Sequence, residues 1–320
     1  MKKLVLLLFL TLFLGAQADE TNNKLNKKDI KKDRKSNTGE ILLYKTIGEH
    51  QLALHLFKPK NWAKTDKRPA IIFFFGGGWV GGKPQQFFKI AEHFSSLGFV
   101  CASVQYRTKR PHGTTPFECV KDGKSAVRYF RSHALELGID PNKIIASGGS
   151  AGGHVACSTA LIRDYDETVE DISVSSTPNA LILFNPVLDT TEKGYGAEKL
   201  KGKETLLSPC HHVRPSLPPT IVFTGTADKI TPLENAERFT RLMKEVKNDC
   251  TLIPIDGKGH GVSSAGKQGK DSYDTCISES LKFLKSHDFI PKQLKSKGIK
   301  YETNTPHSID SIFIFQSTCR

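Results

Sequence analysis

The sequence predicts an α/β fold with a mostly parallel central sheet, helices on both faces and an antiparallel N-terminal edge. Short apolar runs with the length of buried strands alternate along the chain with longer segments of helical periodicity. The first two runs are instead joined by a short turn containing glycine, which is typical of an antiparallel hairpin. The chain has 320 residues, of which 38% are hydrophobic and 25% charged, and this composition indicates one large globular domain.

The predicted elements follow one another from residue 41 to residue 286. The hairpin comprises residues 41–47 and 51–57, joined at Gly48-Glu49-His50. The next run, 70–75, is continuously apolar and ends in three glycines, so it predicts a buried parallel strand. Gly98 and Gly138 end two helical patterns. The predicted helices are 84–97, 116–137, 150–162, 232–246 and 271–286. The remaining predicted strands are 99–104, 143–147, 180–184, 220–224 and 251–255. The polar stretch 163–179 is expected to be a loop over the sheet.

Both ends of the chain differ in composition from the predicted domain, which spans residues 39–290. Residues 1–18 combine two lysines, an apolar run and Ala16-Gln17-Ala18, which predicts a signal peptide of bacterial style and export to the periplasm or medium. An uncleaved membrane anchor is the alternative, but the apolar run is too short to span a bilayer stably. Residues 19–38 are predicted to be a disordered basic linker, either a solvated leader or a tether to acidic polysaccharide or an anionic surface. The tail, 291–320, has no assignment, and neither membrane insertion nor a nucleic-acid partner is expected.

The seven cysteines show no dense disulfide framework and no zinc-ligand spacing. Cys101 and Cys157 fall in a predicted strand and a predicted helix, so they are expected to be packed thiols. Pairing among the others stays open at this stage: Cys119, Cys210, Cys250, Cys276 and Cys319. His211-His212 beside Cys210 comes nearest to a metal site, and overall no metal or cofactor is expected.

The segment Gly148-Gly149-Ser150-Ala151-Gly152 fits the pattern G-x-S-x-G between a predicted strand and a predicted helix. In that context the serine lies at the tip of a sharp turn, where glycines on either side let the strand and the helix approach closely. Its hydroxyl is exposed at the carboxyl end of the sheet, and the N-terminus of the following helix stabilises negative charge. The pattern therefore predicts Ser150 as a nucleophile. His154, one turn into the helix, is expected to be a buried, hydrogen-bonded support.

A second candidate feature is the glycine-rich turn after strand 70–75, in the sequence FFFGGGW at 73–79. A turn of this kind leaves backbone N–H groups unpaired. We expect the N–H groups of Gly77 and Gly78, together with that of Ala151, to form an oxyanion hole. A phosphate-binding loop is the alternative, but no Gly-Lys-Ser/Thr follows. Trp79 borders the turn and is a candidate for substrate binding, with a plain packing role as its alternative.

The order of the remaining candidate residues indicates a catalytic triad. Asp228 follows strand 220–224 and His260 follows strand 251–255, so the chain order is Ser, Asp, His. Each residue lies at the carboxyl end of its own strand, where such folds place their sites. His260 is predicted to accept the proton of Ser150, and Asp228 to orient His260. Asp256 and Asp189 are rival candidates for the acid.

Taken together, the glycine turn, GGSAGG, GTAD and GKGHG resemble the motifs of hormone-sensitive-lipase-like esterases. The resemblance runs from about Leu42 to Ile290 and is closest to secreted bacterial acetylxylan and feruloyl esterases, such as those of planctomycetes. It implies the α/β-hydrolase fold and the same three catalytic residues. One position departs from the family, because its glycine motif usually opens with His and this chain has Phe75 there. That His mainly supports the loop, so the oxyanion donors are expected to survive while the loop's hydrogen bonding is left open.

The residues and the resemblance together predict a serine carboxylic-ester hydrolase that removes short, acetyl-type groups from carbohydrate or other small esters. The expected partner is therefore a small ester or an acylated polysaccharide. A peptidase or amidase on the same fold is one alternative, and a catalytically inactive binding protein is another. A lipase is disfavoured because no long apolar lid segment is present. The acyl group, the alcohol and the oligomeric state are not predicted.

Overall fold

The computed structural model describes residues 38–291, in which eight strands form one sheet of order β1-β2-β4-β3-β5-β6-β7-β8. The strands are β1 Glu40–Ile47, β2 His50–Phe57, β3 Arg68–Phe74, β4 Val100–Val104, β5 Ile139–Gly149, β6 Ala180–Phe184, β7 Thr220–Gly225 and β8 Cys250–Ile255. The pairs β1–β2 and β2–β4 are antiparallel, and every other neighbouring pair is parallel. Strands β3, β4 and β6 are buried along their whole length, which requires cover on both faces of the sheet. The predicted α/β fold with an antiparallel N-terminal edge is confirmed.

The helices that follow the strands are α1 Phe88–Ser96, α2 Lys109–His112, α3 Pro116–Ser132, α4 Ala134–Leu137, α5 Ala151–Leu161, α6 Leu233–Glu245, α7 Ala265–Gln268 and α8 Lys270–Ser286. Single 3-10 turns lie at Pro84–Phe87, Ala197–Lys199, Glu204–Leu207 and Pro209–His211. Helix α3 begins at a capping box, in which Thr115 and Glu118 satisfy each other's backbone N–H groups. The predicted helix 116–137 is interrupted at His133, whose backbone leaves the helical region and whose ring stacks on Tyr129.

The register of the parallel strands brings their carboxyl ends together. Phe74 pairs with Gly148, Gly149 with Phe184, and Phe184 with Phe223. Because the strands end level with one another, the loops that follow β3, β5, β6, β7 and β8 meet at the same edge of the sheet. These are the loops that carry the predicted site residues.

The structure corrects the start of one predicted strand and locates one predicted loop. Strand β5 starts at Ile139 rather than at residue 143, because Ile139 pairs with Arg68 across a register shift in β3. The polar stretch 163–179 is a loop, as predicted, and it packs against α3. Its carboxylates form ion pairs with that helix, since Asp166 contacts Lys124 and Arg128, and Glu170 also contacts Arg128.

Several predictions concern residues that the structure does not describe. Residues 38–291 are the ones described, so the predictions for three segments and one cysteine lie outside them. These are the signal peptide 1–18, the basic linker up to residue 37, the tail from residue 292, and Cys319. Within that range, no helix combines the length and the apolarity needed to cross a bilayer. The six cysteines in it are buried free thiols. Burial raises the pKa of Cys101 and of Cys157 well above the ordinary value, so the prediction of packed thiols is confirmed.

Candidate active site

The turn between β5 and α5 places Ser150 in a backbone conformation that side chains rarely adopt, with φ 56° and ψ −124°. The turn is held by Ser150 N, which donates to Phe184 O at 3.0 Å and to Asn185 O at 3.2 Å. A β-carbon on Gly152 would lie 2.1 Å from Phe74 O, so only glycine lets α5 pass this close to the end of β3. The side chain of Ser150 lines a cavity at the carboxyl edge of the sheet.

His260 lines the same cavity, and its imidazole is hydrogen-bonded to Asp228. His260 Nδ1 lies 2.8 Å from Asp228 Oδ2. Since an ionised carboxylate only accepts hydrogen bonds, Nδ1 carries the proton and Nε2 is left as the basic nitrogen. Burial alone would raise the pKa of Asp228. The hydrogen bonds from His260 and from the backbone N–H groups of Thr231 and Ile230 outweigh burial, and the pKa of Asp228 lies below its ordinary value.

The two rival carboxylates have other partners. Asp256 is exposed and accepts a hydrogen bond from Thr226 Oγ1 at 3.2 Å. Asp189 is buried, and its carboxylate pairs with Arg238 and accepts hydrogen bonds from Thr191. Of the three acids considered from the sequence, the structure brings Asp228 to His260.

The glycine turn after β3 carries its N–H groups into the same cavity. Gly77, Gly78 and Trp79 all have positive φ, of 137°, 60° and 59°, which turns the backbone sharply. The N–H groups of Gly77, Gly78 and Ala151 donate no hydrogen bond to any residue within 38–291. They are therefore available to a ligand at the cavity wall, which Gly77 and Gly78 line beside Ser150.

Two neutral side chains support this turn where the esterase family usually has His. Phe75 is buried and stacks on Tyr106, with ring centroids 4.2 Å apart, and Tyr106 Oη donates to Phe75 O at 2.6 Å. Gln86 Oε1 accepts from Gly76 N at 2.9 Å, while Gln86 Nε2 donates to Gly76 O at 3.1 Å. The hydrogen bonding left open by Phe75 is thus supplied by a phenol and an amide.

Trp79 does not line the cavity, contrary to the expectation of a substrate-binding role. Its side chain is only 1% exposed, and Trp79 Nε1 donates to His154 Nδ1 at 3.3 Å. His154 Nε2 in turn donates to Leu207 O at 2.7 Å. Burial lowers the pKa of His154 to about 4, so the imidazole is neutral near pH 7. His154 is the buried, hydrogen-bonded support that the sequence predicts, and Trp79 takes the packing role that was its alternative.

The cavity measures about 690 Å³, a size typical of sites for small molecules. Its walls mix glycine turns, aromatic rings, serines and lysines. Besides the residues already named, the lining includes Phe87, Lys89, Ile90, Tyr195, Ile230, Ser263, Ser264, Lys267 and Tyr273. Among residues 38–291, no group of three or more side chains is arranged to hold a metal ion.

Asn185 connects the three loops of the site, and sequence reasoning missed it. Its carbonyl oxygen accepts from Ser150 N and from Thr231 Oγ1, while its Oδ1 accepts from Val262 N at 3.2 Å. Its amide nitrogen lies 3.4–3.5 Å from both ring nitrogens of His260. The available clue was the dipeptide Asn-Pro directly after a buried strand, because asparagine tolerates the positive φ of 37° found here.

Gln268 was also missed. Its Oε1 accepts from Gly259 N at 3.0 Å, and its Nε2 donates to His260 O at 3.0 Å. One amide therefore fixes the backbone on both sides of the peptide that carries His260. Nothing in the local sequence distinguishes this glutamine from a surface residue.

Comparison with known proteins gives one family match, because the BD-FAE family model matches residues 54–243. The probable isoprenylcysteine α-carbonyl methylesterase ICMEL1 of Arabidopsis thaliana is 29% identical over 65% of this chain and 48% of its own length. The probable carboxylic ester hydrolase LipM of Mycobacterium tuberculosis is 27% identical over 63% and 51%, respectively. The chain thus spans about half the length of these curated relatives. The resemblance to hormone-sensitive-lipase-like esterases is confirmed.

The likeness to solved structures covers nearly the whole length of the matched protein. Esterase 2 of Thermogutta terrifontis, solved after phosphoramylation by tabun, is 42% identical, with a TM-score of 0.76 over 80% of this chain and 97% of that chain. The same esterase has been solved with butyrate bound. This likeness confirms the α/β-hydrolase fold. The finer resemblance to acetylxylan esterases has only loose support, from endo-1,4-β-xylanase B of Butyrivibrio fibrisolvens, which is 28% identical over 63% of this chain.

Proposed function

This chain belongs to the BD-FAE family, and from the geometry of its site we propose that it is a serine carboxylic-ester hydrolase. The observation that carries the proposal is one shared cavity. Ser150 at its strained turn and His260 held by Asp228 both line that cavity, beside backbone N–H groups without a partner. This is the set of groups that acyl transfer needs: a nucleophile, an oriented base and donors for an oxyanion.

The reaction proceeds in two halves. Ser150 Oγ attacks the carbonyl carbon of the ester while His260 Nε2 takes the hydroxyl proton, and the carbonyl electron pair moves onto oxygen. When the tetrahedral intermediate collapses, His260 gives its proton to the departing alkoxide, which leaves as the alcohol. Water then attacks the acyl-enzyme, His260 takes one of its protons, and the carboxylic acid leaves as that proton returns to Ser150 Oγ.

Each supporting group has one task in this cycle. Asp228 fixes the tautomer of His260 and stabilises the imidazolium that forms in each half-reaction. The N–H groups of Gly77, Gly78 and Ala151 stabilise the oxyanion. Removal of one such donor typically lowers kcat by roughly 10²–10³.

The proposed substrates are esters of short, acetyl-type acids with carbohydrate or other small alcohols. A cavity of about 690 Å³ lined by glycines, serines and lysines beside a few apolar side chains supports short acyl groups over long chains. The butyrate complex of the Thermogutta terrifontis esterase supports the same range in a relative. Each methylene that finds an apolar pocket contributes about 0.8 kcal/mol. We expect kcat/KM for p-nitrophenyl esters to level off or fall beyond about four acyl carbons, and a steady rise to about ten carbons would point to a lipase.

The decisive experiment replaces the nucleophile. Ser150→Ala is expected to lower kcat by roughly 10⁴–10⁶ and to abolish labelling by a fluorophosphonate, while Ser132→Ala on the surface of α3 leaves both unchanged. Circular dichroism and Tm of both variants establish that the fold is kept. Ordinary turnover by Ser150→Ala would refute the proposed mechanism.

The same measurements separate the alternatives. An inactive binding protein would neither label with the fluorophosphonate nor turn over any ester. A peptidase or amidase would label and would cleave anilides or peptides as well as esters, whereas an esterase would turn over the esters alone.

A further inference from the structure

The loop between Asp189 and Leu200 crosses the glycine turn and places a phenol against it. Tyr195 Oη lies 2.6 Å from the position that a β-carbon on Gly78 would occupy, and Lys199 Nζ lies 3.6 Å from the same position. Tyr195 also lines the cavity together with Ser150 and His260. A side-chain hydroxyl therefore sits directly beside the backbone that carries two of the proposed oxyanion donors.

The hydroxyl of Tyr195 has one partner, the ammonium group of Lys199. Lys199 Nζ donates to Tyr195 Oη at 3.0 Å and lies 4.1 Å from the centroid of the tyrosine ring. An ammonium has no lone pair, so the phenol oxygen accepts this hydrogen bond and the phenol O–H cannot be donated to Lys199. Within residues 38–291 the hydroxyl donates to no acceptor. Its proton is available to a group in the cavity.

Buried contacts fix the loop that carries this pair. Tyr195 N donates to Asp189 O at 3.0 Å, and the carboxylate of Asp189 is anchored to Arg238. The ring of Tyr195 packs on Trp79, with centroids 5.7 Å apart, and Trp79 is hydrogen-bonded to His154. The phenol is thus connected through Trp79 and His154 to α5, the helix that follows Ser150. These contacts define the position of the phenol before substrate binds.

We propose that Tyr195 is a side-chain donor of the oxyanion site, giving a hydrogen bond to the reacting ester beside the N–H groups of Gly77, Gly78 and Ala151. The inference rests on the proposed ester hydrolysis. A hydrogen bond to oxygen strengthens as negative charge develops there, so the phenol acts mainly on the transition state. Lys199 is a positioning residue, which occupies the phenol oxygen so that the hydroxyl proton is directed to the substrate.

The test compares Tyr195→Phe with Tyr165→Phe, a matched control in the loop that packs against α3. Tyr195→Phe is expected to lower kcat roughly ten- to a hundredfold, with KM for p-nitrophenyl acetate changed by less than about threefold. Affinity for a trifluoromethyl ketone, which forms a tetrahedral adduct with the nucleophile, should fall by the same factor as kcat/KM. Affinity for butyramide, a neutral analogue whose carbonyl oxygen carries no developed negative charge, should stay within about twofold.

Lys199→Met, with Lys203→Met as its control, tests the positioning role and serves as a second variant if Tyr195→Phe does not fold. It is expected to lower kcat less than Tyr195→Phe does. In a Tyr195→Phe background it should have no further effect, because its action passes through the phenol oxygen. An equal effect of Lys199→Met in both backgrounds would overturn that role.

Two other results would overturn the assignment of Tyr195. Unchanged kcat and ketone affinity in Tyr195→Phe, with an active wild type, refute the inference and leave ester hydrolysis standing. A loss confined to KM, with butyramide affinity falling in parallel, would make Tyr195 a wall of the cavity. A folded wild type that neither turns over esters nor labels with a fluorophosphonate would refute the proposed function itself.

Discussion

Replacing Asp228 by asparagine should disable the site without disturbing the fold. In the structure, one carboxylate oxygen accepts from Ile230 N and Thr231 N, at 2.8 and 3.0 Å, and an amide oxygen can keep both bonds. The other oxygen accepts from His260 Nδ1 at 2.8 Å. An asparagine NH₂ at that place can only donate, so it forces the proton of His260 onto Nε2. The imidazole then cannot accept the proton of Ser150.

The size of the expected fall in kcat follows from this loss of the reactive tautomer of His260. We expect kcat to fall by roughly 10⁴ in Asp228→Asn, by analogy with other Ser-His-Asp triads, which is about 5.5 kcal/mol of transition-state stabilisation. KM should change little, since Asp228 does not touch the substrate. The assay is hydrolysis of p-nitrophenyl acetate over a range of substrate concentrations, with Tm measured on the same samples.

The two rival carboxylates provide the controls. Asp256→Asn should change kcat less than about twofold, because the side chain is exposed and an amide oxygen can still accept from Thr226. Asp189→Asn should mainly lower stability, by about 1–3 kcal/mol, since it weakens a buried ion pair with the partly exposed Arg238, and it should lower kcat far less than Asp228→Asn does. A larger loss of kcat at Asp189 or Asp256 than at Asp228 would refute the assignment.

Three further predictions use the same assays. Gln86→Met removes both hydrogen bonds to Gly76, together worth about 1–3 kcal/mol, and should lower kcat up to roughly a hundredfold, whereas Gln85→Met on the neighbouring exposed position should not. Equal effects at the two positions would contradict the role of Gln86 as a support of the glycine turn. Because the pKa of Asp228 is lowered in the folded protein, its stabilising effect is present above the unfolded-state pKa and is lost as pH falls through the folded value. Chemical denaturation between about pH 5 and pH 2 should therefore show the wild type losing stability more steeply than Asp228→Asn; parallel curves would mean that Asp228 has no such shift. Edman sequencing of exported material should begin at Asp19, and recovery only as an uncleaved membrane-bound form would refute the predicted cleavage.

The sequence predicts the strands and the principal site residues because both depend on local patterns. A parallel strand buried on both faces has to be a continuous apolar run, as in β3 and β6. Ser150 and His260 stand among glycines directly after such runs, so their place at the sheet edge follows from chain order alone.

The residues that sequence reasoning missed act through contacts between distant segments. Tyr195 reaches the glycine turn only because its loop folds back across it, more than a hundred residues along the chain. Gln268, at the end of α7, and Asn185, directly after β6, bind backbone groups of neighbouring loops, and the local sequence carries no signal specific to that role. For Trp79, proximity in sequence to the turn left substrate binding and packing as alternatives, and the buried ring, with its centroid 5.0 Å from that of His154, has the packing role.

The two glutamines that hold the loops of the site have a consequence for how it responds to acidity. A primary amide presents a donor and an acceptor in one plane and does not change its charge across the physiological pH range. Gln86 binds the backbone beside the oxyanion donors, and Gln268 binds the backbone beside His260. Both keep these hydrogen bonds in mildly acidic and in mildly alkaline solution. Phe75, at the position where the resemblance to hormone-sensitive-lipase-like esterases implies a His, adds no titrating group to the glycine turn. These two glutamine supports do not titrate, so near neutral pH the pH–rate profile of this protein should report mainly the protonation of the reacting groups.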